Sequence, residues 1–142
     1  MEIKRTLKIK NEEETRRFGL DLAHELKAGD VVALIGDLGT GKTALTRYIA
    51  EGLGITARVN SPTFTIVKEY RESRLPLFHF DVYRVSDPDE LFNIGADEYF
   101  YGDGVCVVEW ADLIEELLPE DTRYIYIEYG PKEGERIYKC SF

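Results

Sequence analysis

Eight consecutive residues, Gly36-Asp37-Leu38-Gly39-Thr40-Gly41-Lys42-Thr43, satisfy every invariant position of the pattern G-x-x-x-x-G-K-[ST]. The chemistry of such a stretch is capture of nucleotide phosphates. Gly36, Gly39 and Gly41 allow a turn tight enough to aim successive N–H groups inward as an anion nest, reinforced by the positive end of a following helix dipole. Residues Asp37 to Ala44 then form the expected phosphate cradle: Lys42 reaches the β- and γ-phosphates, and the Thr43 hydroxyl becomes a ligand of Mg2+. A glycine-rich turn followed by a chance Lys-Thr is the bland alternative. The flanks argue against it, since Val31 to Ile35 is a short apolar run suited to a buried strand and Ala44 to Leu53 reads as a helix.

Binding is not hydrolysis. A carboxylate must help hold Mg2+, and another group must orient the attacking water. Ligands of open α/β sheets lie beyond the carboxyl ends of the strands, and two apolar runs end in a carboxylate: Phe78-His79-Phe80-Asp81 and Val105-Cys106-Val107-Val108-Glu109. The second run is the cleaner strand, which makes Glu109 the expected Mg2+ partner of Thr43 and leaves Asp81 for water positioning or support. Those two roles are interchangeable at this level. The stretch Asn60-Ser61-Pro62-Thr63-Phe64 has the features of a γ-phosphate sensor, with hydroxyls on Ser61 and Thr63, although an ordinary turn into a strand fits equally well. Trp110, the sole tryptophan, follows Glu109 and is either core or a cover for nucleotide or partner. His79 alternates with Asp81 and reads as a hydrogen-bonded structural histidine, while His24 carries no sign of chemistry. Arg47, Arg71 and Arg84 are unplaced candidates for a transition-state cation. The chain has neither an N-K-x-D guanine signature nor an arginine-rich lid segment.

These residues need elements to carry them. Lys4 to Lys10 alternates as a half-buried strand. Asn11 is an expected N-cap with Glu14 at the reciprocal position, opening a helix through Phe18, Leu22 and Leu26 that Gly29 should end. The helix after the phosphate loop should close at Gly52 or Gly54. Thr65 to Tyr70 and Leu77 to Val82 predict an antiparallel hairpin. Asp87-Pro88-Asp89-Glu90 marks the start of a helix that Gly95 should bend or split. Val105 to Val108 predicts a central strand of a largely parallel sheet. A short helix over Leu113 to Leu118 should precede Pro119, and the tail alternates on both sides of Gly130 to Gly134 as a closing hairpin.

Composition sets the outer bounds. The 142 residues suit one domain, 1–142, and the 44% hydrophobic and 32% charged content is that of a globular chain with no apolar run near membrane-spanning length. No apolar leader opens the N-terminus, so a cytoplasmic protein is expected. Cys106 and Cys140 have no metal-site spacing and read as two reduced thiols. A net charge of −9 argues against a broad nucleic-acid surface, because phosphate backbones require a basic stripe.

Taken in order, GDLGTGKT, SPTFTIVKEY, LFHFDVYRVSDPDEL and VCVVEW closely resemble the TsaE family, also called YjeE, of bacterial tRNA-modification ATPases. The likeness runs from about Asn11 to Trp110. It implies an α/β, P-loop NTPase-like fold: a mixed, mostly parallel central sheet with antiparallel hairpins, flanked by helices. It also implies an ATPase using ATP and Mg2+, required for threonylcarbamoyladenosine beside the anticodon of tRNAs that read codons beginning with A. In the family the TsaD and TsaB proteins activate this weak ATPase, and tRNA is met only through those partners. The resemblance assigns phosphate and metal contacts to Lys42 and Thr43, the metal-side carboxylate to Glu109, the second acidic role to Asp81, a switch-like loop to Thr63, and function to Trp110. It also suggests an adenine border at Asn11, Glu12 and Thr15. A small-molecule kinase and a nucleotide-gated binding module with negligible hydrolysis are the competing readings.

Overall fold

Apolar runs too short for helices and bounded by turn residues become strands, and two longer periodic stretches become the main helices. The computed structural model describes residues 2–62, 66–85, 87 and 89–142. In chain order its elements are β1 (Arg5–Ile9), α1 (Glu12–Glu25), β2 (Val31–Ile35), α2 (Lys42–Gly52), β3 (Val67–Tyr70), β4 (Leu77–Asp81), α3 (Asp89–Asn93), α4 (Ala96–Phe100), β5 (Val105–Glu109), a 3₁₀ segment (Ala111–Leu117), β6 (Arg123–Tyr129) and β7 (Arg136–Cys140). All strands join one seven-stranded sheet in the order β1-β7-β6-β2-β5-β4-β3.

Parallel pairing occupies the middle of that sheet, from β6 through β2 and β5 to β4. Both margins are antiparallel: β3 on β4 at one side, and β6, β7 and β1 at the other. The sheet is therefore mixed as expected but not mostly parallel: among the described residues three of its six pairings are antiparallel, because the tail hairpin and β1 extend one margin and the β3–β4 hairpin the other, and the parallel part is confined to four adjacent strands. Every residue of β5 is buried, because its neighbours β2 and β4 pair on both edges and helices cover both faces, which is why it reads as an unbroken apolar run. Alternation along the strands sorts the core into two layers. Val32, Leu34, Val105, Val107, Ile125 and Ile127 face α1 and α2, meeting Leu22, Leu26, Leu45 and Ile49. Val31, Ala33, Phe78, Phe80, Cys106 and Val108 face the other way, onto Leu91, Phe100 and Ile114.

Several boundaries differ from the expected ones. α1 stops at Glu25, ahead of Gly29: Leu26 turns extended (ψ 143°) and is buried at 1% exposure, so core packing ends the helix before a glycine can. Gly29 instead sits in the next turn at φ 91° and donates its N–H to Gly104 O at 2.8 Å. At the other end Asn11 caps as expected, Oδ1 accepting from Glu14 N at 2.9 Å, while Glu14 Oε1 accepts from Lys10 N at 2.7 Å, one residue earlier than a capping box requires. The helix expected over Leu113 to Leu118 is a 3₁₀ segment with a non-helical Ile114 (φ −136°) inside it. Gly95, at φ 76°, splits α3 from α4, and Asp87 does cap α3, its Oδ1 accepting from Asp89 N at 3.0 Å. Thr65, expected to start β3, lies outside the described residues, as does Pro88.

The two cysteines are free, buried, and in opposite core layers, so the sheet itself keeps them apart. Burial pushes the Cys106 thiol up to about 12. Only the thiolate reacts with an aromatic disulfide reagent. We therefore expect Cys106 to be unreactive toward such a reagent at pH 8 in the folded protein and to react at once in denaturant, as a thiol titration would read. Among the described residues no helix is long and apolar enough to cross a membrane.

Candidate functional site

The loop between β2 and α2 lies at the carboxyl edge of the parallel strands, and its glycines serve different ends. Gly39 (φ 81°) and Gly41 (φ 105°) occupy the left-handed region that side chains disfavour. Gly36 is needed for closeness rather than for turning, since a Cβ there would lie 2.6 Å from Ile127 O and 2.8 Å from Thr40 Oγ1. Lys42 opens α2 and is 5% exposed. Its Nζ donates to Gly36 O at 2.6 Å and Asp37 O at 2.9 Å, and lies 4.0 Å from the centroid of the Trp110 ring. Burial holds the Lys42 ammonium below the usual lysine range, opposed first by the Glu109 carboxylate and then by Asp81, Asp37 and Asp112. Asp37, Leu38 and Gly39 form the exposed tip, whereas Thr40 is buried and Ala44 sits in the first turn of α2.

Register explains why the two carboxylates meet this loop. Asp81 pairs with Glu109, and Leu34 of β2 pairs with Glu109 on the other side, so Glu109 emerges beside the strand that feeds the loop and Asp81 one strand further out, at the same edge. Glu109 is 2% exposed. It accepts from Thr43 Oγ1 at 3.0 and 3.2 Å and from His79 Nε2 at 2.5 Å. Thr46 Oγ1 stands 3.5 Å away, its hydrogen directed to Lys42 O at 2.9 Å. A hydroxyl and a carboxylate side by side are hard oxygen donors of the kind Mg2+ takes, an ion that keeps several waters and uses one or two carboxylates plus substrate phosphates. These residues fit that ion. Among the described residues no group of three or more His, Cys, Asp or Glu side chains gathers as a separate cage.

His79 shares the face of Asp81 and Glu109 and is wholly buried. Among the described residues its Nδ1 has no partner, which assigns the ring proton to Nε2, where it is donated to Glu109. It is the hydrogen-bonded structural histidine expected, and it aims the carboxylate. Asp81 is more open. Its Oδ2 accepts from Ser61 Oγ at 2.7 Å and its Oδ1 from Tyr83 N at 3.0 Å, and it borders a cavity of about 490 Å³ with Leu38, Ser61, Tyr83 and Trp110. Trp110 stands at the margin of the core: it packs against the buried apolar residues yet is partly exposed, its ring centroid is 4.0 Å from Lys42 Nζ and 4.7 Å from the Tyr83 ring, and its φ of 62° is the only positive value outside glycine among the described residues. Such a backbone costs on the order of 1–3 kcal/mol and survives where surroundings hold it.

Other expected residues lie elsewhere or serve structure. Arg47 Nε donates to Val59 O at 2.7 Å and Nη2 to Asn60 Oδ1 at 3.2 Å, tethering the chain that enters the Ser61 segment. Arg71 pairs with Glu69 and Asp103 at the opposite edge of the sheet, which removes it from the candidate cations. Arg84 lines the cavity beside Asp81. Asn11, Glu12 and Thr15 follow β1 at the same edge as the loop; Asn11 caps α1, Glu12 accepts from the Tyr48 hydroxyl at 2.6 Å, and Thr15 is buried. Thr63 lies outside the described residues. Tyr129 and Arg136, which touch the loop from the tail hairpin, were not legible as site residues: flanking a turn, they signal only a hairpin.

Comparison with known proteins matches this arrangement to one family. The family model described as "Threonylcarbamoyl adenosine biosynthesis protein TsaE" covers residues 9–137. The chain is 57% identical over 118 residues to the tRNA threonylcarbamoyladenosine biosynthesis protein TsaE of Bacillus subtilis, covering 83% of this chain and 73% of that protein. It is 44% identical over 110 residues to the protein of that name from Treponema pallidum, covering 78% and 81% respectively. A crystal structure of Bacillus subtilis YdiB superposes with a TM-score of 0.83 at 45% identity, over 99% of this chain and 86% of that one. With the family model spanning most of its length, the chain belongs to the TsaE family.

Proposed function

We propose that the protein is a Mg2+-dependent ATPase of the cytoplasm, weak alone and activated by a TsaD–TsaB complex, whose hydrolysis sustains threonylcarbamoyladenosine modification of tRNA. The observation that carries this reading is the convergence of Lys42, Thr43 and Glu109, with the Thr43 hydroxyl 3.0 Å from the Glu109 carboxylate. The family supplies the pathway, and resemblance supplies the partners.

The residues divide the work by environment. Loop N–H groups and Lys42 hold phosphate and stabilise charge that develops on it, in a buried setting where such contacts are strongest. Thr43 and Glu109 would hold Mg2+, which would supply positive charge to offset the charge that develops on the phosphate. Glu109 is suited to this by burial and by the hydrogen bond from His79. The water-orienting role is assigned to Asp81, which is more open and braced by Ser61 and Tyr83. Trp110 keeps one side of Lys42 dry. An acidic chain leaves tRNA to its partners.

Hydrolysis carried out in 18O-enriched water tests the reaction class, by mass spectrometry of the products. Label in the released phosphate supports an ATPase. Phosphate found on an added metabolite would replace it with a kinase, and tight ATP binding without product would replace it with a nucleotide-gated module.

A further inference from the structure

Two side chains of the tail hairpin hold the phosphate loop from outside. Tyr129, the last residue of β6, donates its hydroxyl hydrogen to Leu38 O at 2.9 Å. Arg136, the first residue of β7, donates Nε–H to Thr40 O at 2.8 Å and Nη1–H to Glu135 O at 2.8 Å. The two are register partners, and the guanidinium lies 4.8 Å from the centroid of the Tyr129 ring. They act as one clamp.

The peptide planes involved are informative. A trans peptide is planar, with its C=O and N–H pointing in opposite directions. Leu38 O shares a plane with the Gly39 N–H, and Thr40 O shares one with the Gly41 N–H. Drawing each carbonyl outward to the hairpin therefore turns the paired N–H away from the hairpin and into the loop. The two glycines concerned are the ones at positive φ, 81° and 105°, and glycine has little preference of its own for either sign. Their N–H groups donate to no other described residue, whereas the Thr40 N–H is engaged by Asp37 O at 3.2 Å. Contact is close on the tyrosine side, since a Cβ on Gly39 would stand 3.0 Å from the Tyr129 hydroxyl.

We infer that Tyr129 and Arg136 are positioning residues that pre-orient the Gly39 and Gly41 amides for phosphate, Tyr129 setting the first and Arg136 the second. The inference rests on the nucleotide reading above and adds to it the reason the loop needs the tail hairpin.

The test uses the full-length chain with Mg-ADP as the probe, titrated by calorimetry and followed by amide NMR at Gly39 and Gly41, with thermal melts as controls. For wild type, both amides should shift on binding. Tyr129→Phe deletes one hydroxyl from a residue that is 54% exposed, so its melt should be unchanged. It should weaken Mg-ADP about threefold to tenfold and diminish the Gly39 response while sparing that of Gly41. Arg136→Ala should weaken binding about tenfold with the opposite pattern. Affinities within twofold of wild type, or both amides affected equally in both variants, would overturn the inference while leaving nucleotide binding intact. If Arg136→Ala fails to fold, Tyr129→Phe decides alone. Absence of Mg-ADP binding by wild type would defeat the nucleotide reading and the positioning claim with it.

Discussion

Glu109→Gln is expected to lower ATP hydrolysis about a hundredfold to a thousandfold, the usual loss when a positioned electrostatic group is removed from an active site, with a smaller fall in melting temperature than Glu109→Ala. The substitution keeps shape and hydrogen-bonding capacity toward Thr43 and His79 but removes the charge. Both charges are buried, Glu109 at 2% and Lys42 at 5% exposure, so neutralising one leaves the other uncompensated and costs stability, while the retained shape keeps that cost below the one for Glu109→Ala. The Lys42 ammonium loses the largest influence opposing its burial, and its pKa should fall further. Glu109→Ala should also abolish hydrolysis, but it opens a gap and leaves His79 without its partner, so its melt should fall. Steady-state phosphate release alongside thermal melts checks both. Wild-type turnover by either variant would remove Glu109 from the mechanism.

Lys42→Ala is expected to abolish measurable hydrolysis and to weaken Mg-ATP at least about a hundredfold. The side chain is held on Gly36 O, Asp37 O and the face of Trp110, which poises it in the loop without a search among rotamers. Trp110 is the sole tryptophan, so its fluorescence reports on this contact directly. Wild type should give a saturable change on adding Mg-ATP, and Lys42→Ala should give none. An unaltered titration in the variant would show that Lys42 does not meet the phosphates.

The parallel middle of the sheet was legible because strands buried on both faces have no polar alternative: Val31 to Ile35 and Val105 to Val108 admit little else. The same logic exposed Asp81 and Glu109, since a charge ending such a run must stand at the strand's carboxyl edge. Local signals were weaker where tertiary packing overrules them. Leu26 ended α1 by joining the core, and Ile114 broke the segment after Trp110 by the same means. The site residues left unread were those whose chemistry depends on distant partners. Tyr129 and Arg136 carry no loop-binding signature, because their targets, Leu38 O and Thr40 O, are backbone atoms some ninety residues away. Trp110 was ambiguous for a related reason: sequence does not disclose the positive φ that lays its ring against Lys42.

Phosphate release from Mg-ATP by the purified protein, alone and with TsaD and TsaB together, is the most direct test of a partner-activated ATPase. Slow release alone and strong stimulation by the pair is the expected result, with the stimulated rate lost in Glu109→Gln. An equal rate with and without the pair, or release that persists in that variant, would contradict it.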